Sequence, residues 1–326
     1  MKYQPPFTIT PIMLDLISKI SEKLGRMEEV RSMGISPLLR KINRIKTLTG
    51  TLQIEGNTLD EEKITALLEG KRVIGSAQEI TEAQNAIMVY EMLEQFSYDS
   101  LEDLLKAHTI LMNGLVKKSG ILRRVNVRVG SHIAPPFERV DILMQDLFEW
   151  LKMTDIHPLI VSSVFHYEFE FIHPFEDGNG RIGRFWQTVI LYRWRELFAY
   201  LPLESIVREK QQAYYEAIEA ATGQGESTPF IEFMLEAIWQ TLQATPQVIP
   251  QVTPQDERLQ KVLDFCTVPR SRREIQEYLG MKDRKHFKEV VLGVLLADGL
   301  LEMTLPEKPR SPKQRYVVKK MEGIGK

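Results

Sequence analysis

The stretch HPFEDGNGRIGR, residues 173–184, decides how the rest of the chain is read. It packs His173, Asp177, Asn179, Arg181 and Arg184 between two long apolar segments. Pro174 has no backbone N–H and restricts the residue before it. A helix arriving at His173 must therefore end there, with the imidazole at its last turn. Phe175 is the natural anchor of the loop in the core. Gly178, Asn179 and Gly180 tolerate backbone angles that other residues avoid, so they can turn the chain sharply into a second helix. A loop that opens onto a helix N-terminus gathers unpaired N–H groups and the positive end of the helix dipole, an arrangement that holds phosphate.

Arg181 and Arg184 fall in the first turn of that second helix, where the dipole disfavours positive charge. Their placement is coherent if an anion compensates them, and guanidinium forks suit phosphate oxygens. Asp177, at the lip of the loop, fits a magnesium ion bridging phosphates. His173 fits a general base near neutral pH. The pattern points to nucleotide chemistry without a Walker motif, since GNGR lacks the P-loop Lys-Ser/Thr. Residue physics alone leaves two alternatives open. Asp177 can be a helix cap beside solvated arginines. His166, Glu170 and His173, which recur on one helical face, can be a metal set, although the HExxH order is missing and Pro174 disturbs the third position.

The surroundings are those of an ordinary globular chain of 326 residues, 43% hydrophobic and 26% charged. MKYQPPFTIT lacks the apolar run of a signal peptide, and no membrane span is visible. Cys266 is the only cysteine, which excludes an internal disulfide and a cysteine-based zinc site. These features read as a cytoplasmic protein with no membrane partner. The net charge of −2 hides an asymmetry: residues 256–326 carry +5 and the remainder −7. Between them, TPQVIPQVTPQ (245–255) has three prolines and no charge, and reads as an extended linker.

Apolar residues at helical spacing predict helices over 12–29, 37–54, 77–96, 101–115, 140–153, 158–172, 180–197, 203–222 and 228–243. Thr58 with Glu61 reads as a capping box ahead of a further short helix that Gly70 stops, and Ser100 with Asp103 as another cap. One stretch breaks the pattern. In RRVNVRVG, Val125, Val127 and Val129 alternate with Arg124, Asn126 and Arg128, the period of a half-exposed strand, and Gly130 with Pro135 and Pro136 turns the chain away. A hairpin edge of this kind is either an ordinary surface feature or a place to dock an extended peptide.

HPFEDGNGRIGR resembles the signature of the Fic family, HxFx(D/E)GNGRxxR, at every specified position. The resemblance implies a mainly α fold: a Fic-type helical bundle with a short β-hairpin flap, followed by a C-terminal winged helix-turn-helix domain. It implies a protein adenylyltransferase that moves AMP from ATP, with Mg2+, to a Ser, Thr or Tyr hydroxyl of a target protein. His173 then resembles the base, Asp177 the Mg2+ ligand, and Gly178, Asn179 and Gly180 the anion hole, while Arg181 and Arg184 match the phosphate-holding arginines. The hairpin resembles the family's flap, with Arg124, Val125, Asn126, Val127 and Arg128 docking the target by main-chain pairing. Upstream, Thr51-Leu52-Gln53-Ile54-Glu55-Gly56 resembles the family's inhibitory motif, (S/T)xxxE(G/N). The resemblance implies that Thr51, Glu55 and Gly56 form an inhibitory element in which Glu55 pairs with Arg184 and blocks productive placement of the γ-phosphate. In some members this glutamate serves removal of AMP instead, so a deAMPylase stands beside the transferase reading.

Residues 271–318 read as helix, turn, helix and two strands. The candidate recognition helix starts near Asp283, with Arg284, Lys285 and Lys288 open to phosphates and Val291, Val294 and Leu295 facing the core. The expected layout is an N-terminal helical region with the inhibitory helix (1–96), a catalytic core (97–244), the linker (245–255) and the winged helix (256–326). The partner implied is a target protein hydroxyl, the protein's own included. A homodimer stays open. DNA binding by 256–326 is allowed by charge but not expected. The competing class of function is a DNA-binding regulator with the helical body as nucleotide sensor.

Overall fold

The computed structural model describes residues 3–31, 37–130, 132–245, 254–281, 283–297, 300–309 and 311–318. Contacts divide the chain into two compact units, Met1–Glu29 with Asn43–Pro246, and Val30–Ile42 with Gln247–Lys326. The helices on either side of residue 96 share the first unit.

The first unit is mainly helical. Its elements run α1 (Pro11–Arg31, up to residue 29), α2 (Pro37–Ile54, from residue 43), α3 (Glu61–Leu68), α4 (Ala77–Glu91), α5 (Leu101–Leu111), a two-stranded hairpin β1 (Arg128–Val129) and β2 (His132–Ile133), then α6 (Val140–Met153), α7 (Pro158–Ile172), α8 (Asn179–Trp194), α9 (Leu203–Glu209), α10 (Gln211–Gln224) and α11 (Thr228–Ala244). α7 and α8 form the centre. α7 is buried from Leu159 through Phe169 and α8 from Arg181 through Leu191, and a helix apolar or buried on all sides belongs inside a layer of others. α5, α6 and α11 pack around this pair. Polar groups carried inside are partnered: the Ser162 and Ser163 hydroxyls donate to Leu159 O, and Glu168 accepts from the Tyr3 hydroxyl at 2.6 Å.

The differences from the sequence expectation include a helix cap, a break in a helix and the length of a strand. Thr58 does not cap α3. Its N–H and hydroxyl both donate to Glu79 of α4, and Asp60 caps α3 instead, accepting from Lys63 N at 2.9 Å. Glu79 also completes a capping box with Ser76 at the start of α4. The single helix expected over 203–222 is broken at Lys210 (φ −106°, ψ 28°), with neither glycine nor proline to mark the break. The strand expected from Val125 shrinks to the β1–β2 pairing of Arg128 with Ile133 and Val129 with His132, for a reason that lies in Arg123.

The second unit contains α12 (Pro254–Phe265), β3 (Arg270–Ser271), α13 (Arg272–Tyr278), α14 (Arg284–Phe287), a wide turn at Lys288–Leu292, α15 (Gly293–Ala297), β4 (Leu301–Met303) and β5 (Arg315–Val318). Its sheet is antiparallel in the order β3-β5-β4. Val291 and Leu295 are in its core and Val294 packs against it, while Arg284, Lys285 and Lys288 are exposed. The linker expected over 245–255 lies mostly outside the described residues. Its ends belong to helices: Thr245 closes α11, and Pro254 opens α12, where its fixed φ suits a first helical position.

Trp186 is fully buried beside Phe96, Phe148 and Phe185, and its indole N–H donates to Tyr98 O at 2.9 Å. Trp186→Ala is expected to cost about 3–5 kcal/mol of stability, read as a lower urea midpoint of the purified protein.

Candidate active site

The loop between α7 and α8 is built by its own sequence. His173 closes α7 in the left-handed region (φ 49°, ψ 61°), the conformation of a helix C-terminus adopted here by a non-glycine residue directly ahead of Pro174. Such a backbone costs on the order of 1–3 kcal/mol and persists only where neighbours enforce it. The enforcer is Arg123. Its buried guanidinium donates to Ile172 O, His173 O, Val125 O and Pro135 O, and its N–H donates to Pro174 O. One side chain thus satisfies the end of α7 and the base of the hairpin together, drawing residues 123–126 away from strand pairing.

Asn179 closes the loop from inside. It is buried, accepts from Phe175 N at 2.9 Å and donates to Phe175 O at 3.0 Å. Its side-chain amide is therefore occupied, and only its main chain is left for an anion. His108 of α5 stacks on Phe175 with centroids 3.6 Å apart. Its Nδ1 accepts from Gly120 N, so its Nε2 carries the proton and donates to Asp177 O at 3.0 Å. Burial lowers the His108 pKa to about 4, which keeps this tautomer neutral.

The turn itself is made by Gly178 alone (φ 85°). Asn179 and Gly180 are already helical. No side chain caps α8. Asp177 is not the cap: its Oδ1 accepts from Gly178 N at 2.6 Å and from Arg181 Nη2 at 3.0 Å. Gly180 is needed for space, since a Cβ there would lie 2.6 Å from Glu55 Oε1 and 3.0 Å from Arg184 Nη1.

Arg181 and Arg184 are both buried, not solvated. Arg181 also reaches Glu82 of α4 at 3.3 Å. Arg184 is held from α2 and the residue just beyond it. Its Nη2 donates to Glu55 Oε1 at 2.6 Å and to Thr51 O at 3.3 Å, and its Nε to Thr51 Oγ1 at 3.2 Å. Gly56 follows in the left-handed conformation (φ 87°) that ends the helix. Burial pushes the Glu55 carboxyl up, but the Arg184 charge and hydrogen bond pull it below the usual carboxylate range.

Against Gly183 of α8 lies a second carboxyl. Glu170 is largely buried, its side chain 11% exposed, with Oε2 3.9 Å from His173 Nδ1 and Oε1 3.9 Å from His166 Nε2. His166 is engaged elsewhere, with Nδ1 on Gln187 at 2.7 Å and Nε2 on the Tyr214 hydroxyl at 3.0 Å. The His166, Glu170, His173 spacing thus marks a real cluster whose first member is a core histidine and not a metal ligand. Among the described residues, no group of three His, Cys, Asp or Glu side chains is placed to hold a metal ion. Asp177 by itself does fit magnesium. Its side chain is 60% exposed, and this ion asks for one or two carboxylates, with phosphate and water completing the shell.

In the hairpin, Arg124, Val125, Asn126 and Arg128 are exposed and Val127 is half-buried. Asn126 Oδ1 accepts from Phe137 N, Arg124 pairs with Asp141, and His132 Nε2 bonds Phe171 O. These contacts fix the hairpin's base over α7. Arg123, His108 and Glu82 escaped the sequence reading. His108 did carry a signal, a polar residue between Leu104 and Leu111 on an apolar stripe, whereas Arg123 and Glu82 carried none.

Residues 98–191 match the Fic/DOC family, and residues 255–318 match a domain described as "Filamentation induced by cAMP protein Fic-like, C-terminal domain". A Fic family protein from Desulfovibrio desulfuricans G20 of known crystal structure is 42% identical, with 99% of this chain and 100% of that chain covered and a TM-score of 0.73. The chain belongs to the Fic family. A protein adenylyltransferase Fic from Culex quinquefasciatus is 30% identical over 209 residues, 61% of this chain and 41% of the relative, and one from Nematostella vectensis 27% identical over 71% and 55%. The chain therefore spans about half the length of the curated relatives it matches. Among the described residues, no helix is long and apolar enough to cross a membrane.

Arg123→Met keeps the side-chain bulk but leaves four carbonyls without their donor. A loss of about 2–4 kcal/mol is expected, with faster amide hydrogen exchange at 128–133 as the local readout.

Proposed function

We propose that this protein is a protein adenylyltransferase, transferring AMP from ATP to a Ser, Thr or Tyr hydroxyl of a protein, its own chain included, and that Glu55 restrains it. One observation carries the reading: a carboxylate already occupies the place an anion would take. Glu55 Oε1 lies 2.6 Å from Arg184 and against Gly180 at the uncapped start of α8, so its oxygens stand where phosphate oxygens would otherwise be held. The named relatives support the same chemistry.

In this reading the main-chain N–H groups at Gly178, Asn179 and Gly180 and the guanidiniums of Arg181 and Arg184 bind the ATP phosphates. Asp177 would hold Mg2+, which supplies neutralisation of phosphate charge when bound. The acceptor hydroxyl gives its proton to His173. Its oxygen attacks the α-phosphorus, and the bond to the β-phosphate oxygen breaks, so pyrophosphate leaves with the bonding electrons. The 124–128 segment, with polar main chain at an exposed hairpin edge, aligns the extended target over His173. Thr51 and Gly56 seat Glu55, the first by holding Arg184 and the second by ending the helix. While Glu55 holds Arg184, both the fork and the local charge oppose the γ-phosphate. Residues 256–318 read as a winged-helix module on the strength of their element order, outside the transfer chemistry.

With α-labelled ATP and magnesium, Glu55→Gly is expected to raise self-labelling by at least about tenfold, the scale of one lost charge-assisted contact. His173→Ala in that background is expected to abolish it. Label that persists without His173, or an unchanged rate in Glu55→Gly, contradicts the assignment.

A further inference from the structure

Two buried polar atoms beside the site have no hydrogen-bond partner: His173 Nδ1 and Glu170 Oε1, the latter 3.9 Å from His166 Nε2. They belong to residues three apart on the last turn of α7, and Glu170's other oxygen stands 3.9 Å from the imidazole nitrogen. Unsatisfied buried polar groups are costly, and a pair of them is a sign of an interaction made in another state of the site. The surroundings reserve room for this carboxyl. Gly183, at an unspecified position of the signature, would with a Cβ approach Glu170 Oε1 to 3.0 Å.

We propose that Glu170 is the positioning residue for His173: its carboxylate accepts the Nδ1–H, fixes the tautomer that leaves Nε2 free for the acceptor hydroxyl, and stabilises the imidazolium formed during transfer. The proposal rests on the AMP-transfer reading for its catalytic consequence, but not for the histidine–carboxylate contact itself. The proton moves from the acceptor hydroxyl to Nε2 and later to solvent. Glu170 keeps its charge throughout and takes no proton from the substrate, as in other carboxylate–histidine pairs. A separation of 3.9 Å closes to hydrogen-bond length with a small side-chain rotation, and such contacts tighten when substrate is seated.

His173 needs this help. Burial lowers its pKa to about 4, the Glu170 main chain raises it, and the Arg123 and His132 charges lower it. An unaided imidazole so depressed is a weak base at neutral pH. Glu170 is tuned the other way: burial raises its carboxyl to about 7, Arg184 lowers it and Glu55 raises it. The groups facing it are His166 and His173 of α7, Arg184 of α8, Tyr214 of α10 and Glu55 beyond α2. A carboxyl with a raised pKa is protonated below that value and cannot then accept from Nδ1–H, so kcat is expected to rise with pH through about 7. Removing Glu55 takes away one charge that raises Glu170, which moves this limb lower.

The test uses the full chain with Glu170→Gln, and Glu170→Asp as the conservative variant. Ring nitrogen shifts of His173 in a 15N-labelled sample give its tautomer and titration without any turnover. In the wild type, Nδ1 is expected to carry the proton at pH 8, and Glu170→Gln is expected to lower the histidine pKa. In the Glu55→Gly background, Glu170→Gln is expected to reduce kcat for labelling by about 10- to 100-fold, the usual scale for an outer partner of a functional histidine. KM for ATP should stay unchanged and the acid limb, which lies below pH 7 in this background, should vanish. Glu170→Asp should keep the limb and recover part of kcat. The proposal is overturned if Glu170→Gln leaves the His173 tautomer and titration as in the wild type, which would assign the nitrogen to the Glu170 main-chain carbonyl, or if kcat and the limb survive it. Absence of labelling in every form, Glu55→Gly included, would remove the transfer reading, and the nitrogen titration would still decide the Glu170 contact.

Discussion

Arg184 is a guanidinium buried in the second turn of α8, still toward the positive end of the dipole. An isolated charge in that position would cost several kcal/mol, so the structure depends on an anion being there. Glu55 supplies it at 2.6 Å, and the Thr51 hydroxyl and carbonyl take up two further donor contacts. The same requirement explains the sequence around α2. A glutamate at a helix C-terminus is unfavourable by itself. Opposed to an arginine at a helix N-terminus, the two unfavourable placements cancel. The buried guanidinium is consequently neutralised from within the chain, by Glu55.

The loop that presents these groups is held by main-chain satisfaction more than by apolar packing. Asn179 ties Phe175 from within, His108 ties Asp177 to Gly120, and Arg123 gathers carbonyls from the helix end and the hairpin. Each uses a buried polar group that would be costly if unpaired, so each contact is enforced by its neighbours. This is how a histidine can be kept at a positive φ ahead of a proline. It is also why the hairpin pairs over so few residues: carbonyls near its base are committed to Arg123 before strand pairing can claim them.

The helical stripes of α2, α6 and α7 were legible with their bounds because burial repeats at the helical period along the chain. The loop, its arginines and the candidate partner of Arg184 were legible because the signature is dense and local. Arg123, Glu82 and the tie between Thr58 and Glu79 were not. Each acts on a residue far away in sequence or on main-chain atoms, and neither leaves a periodic trace. Lys210 interrupts a continuous apolar stripe without any residue that breaks helices, so the two helices it separates read as one. The trio His166, Glu170 and His173 was visible as a cluster, but spacing could not reveal that His166 is already bonded on both nitrogens.

Three carboxyls act on Arg184: Glu55, Glu170 and Glu204. Burial drives the pKa of Glu170 and Glu204 up, whereas Glu55, the one partly open to solvent, stays ionised. One buried positive charge cannot support three buried negative ones equally, so the pKa rises at the carboxyls least able to be hydrated. Glu204 is further engaged by the Tyr90 and Thr188 hydroxyls, which suit either protonation state. Glu170 has no such partners and sits at the balance point. Withdrawal of Glu55 from Arg184 therefore does two things by electrostatics alone: it opens the guanidinium to another anion, and it favours the ionised form of the carboxyl behind His173. A single charge, when moved, thus acts on both Arg184 and Glu170.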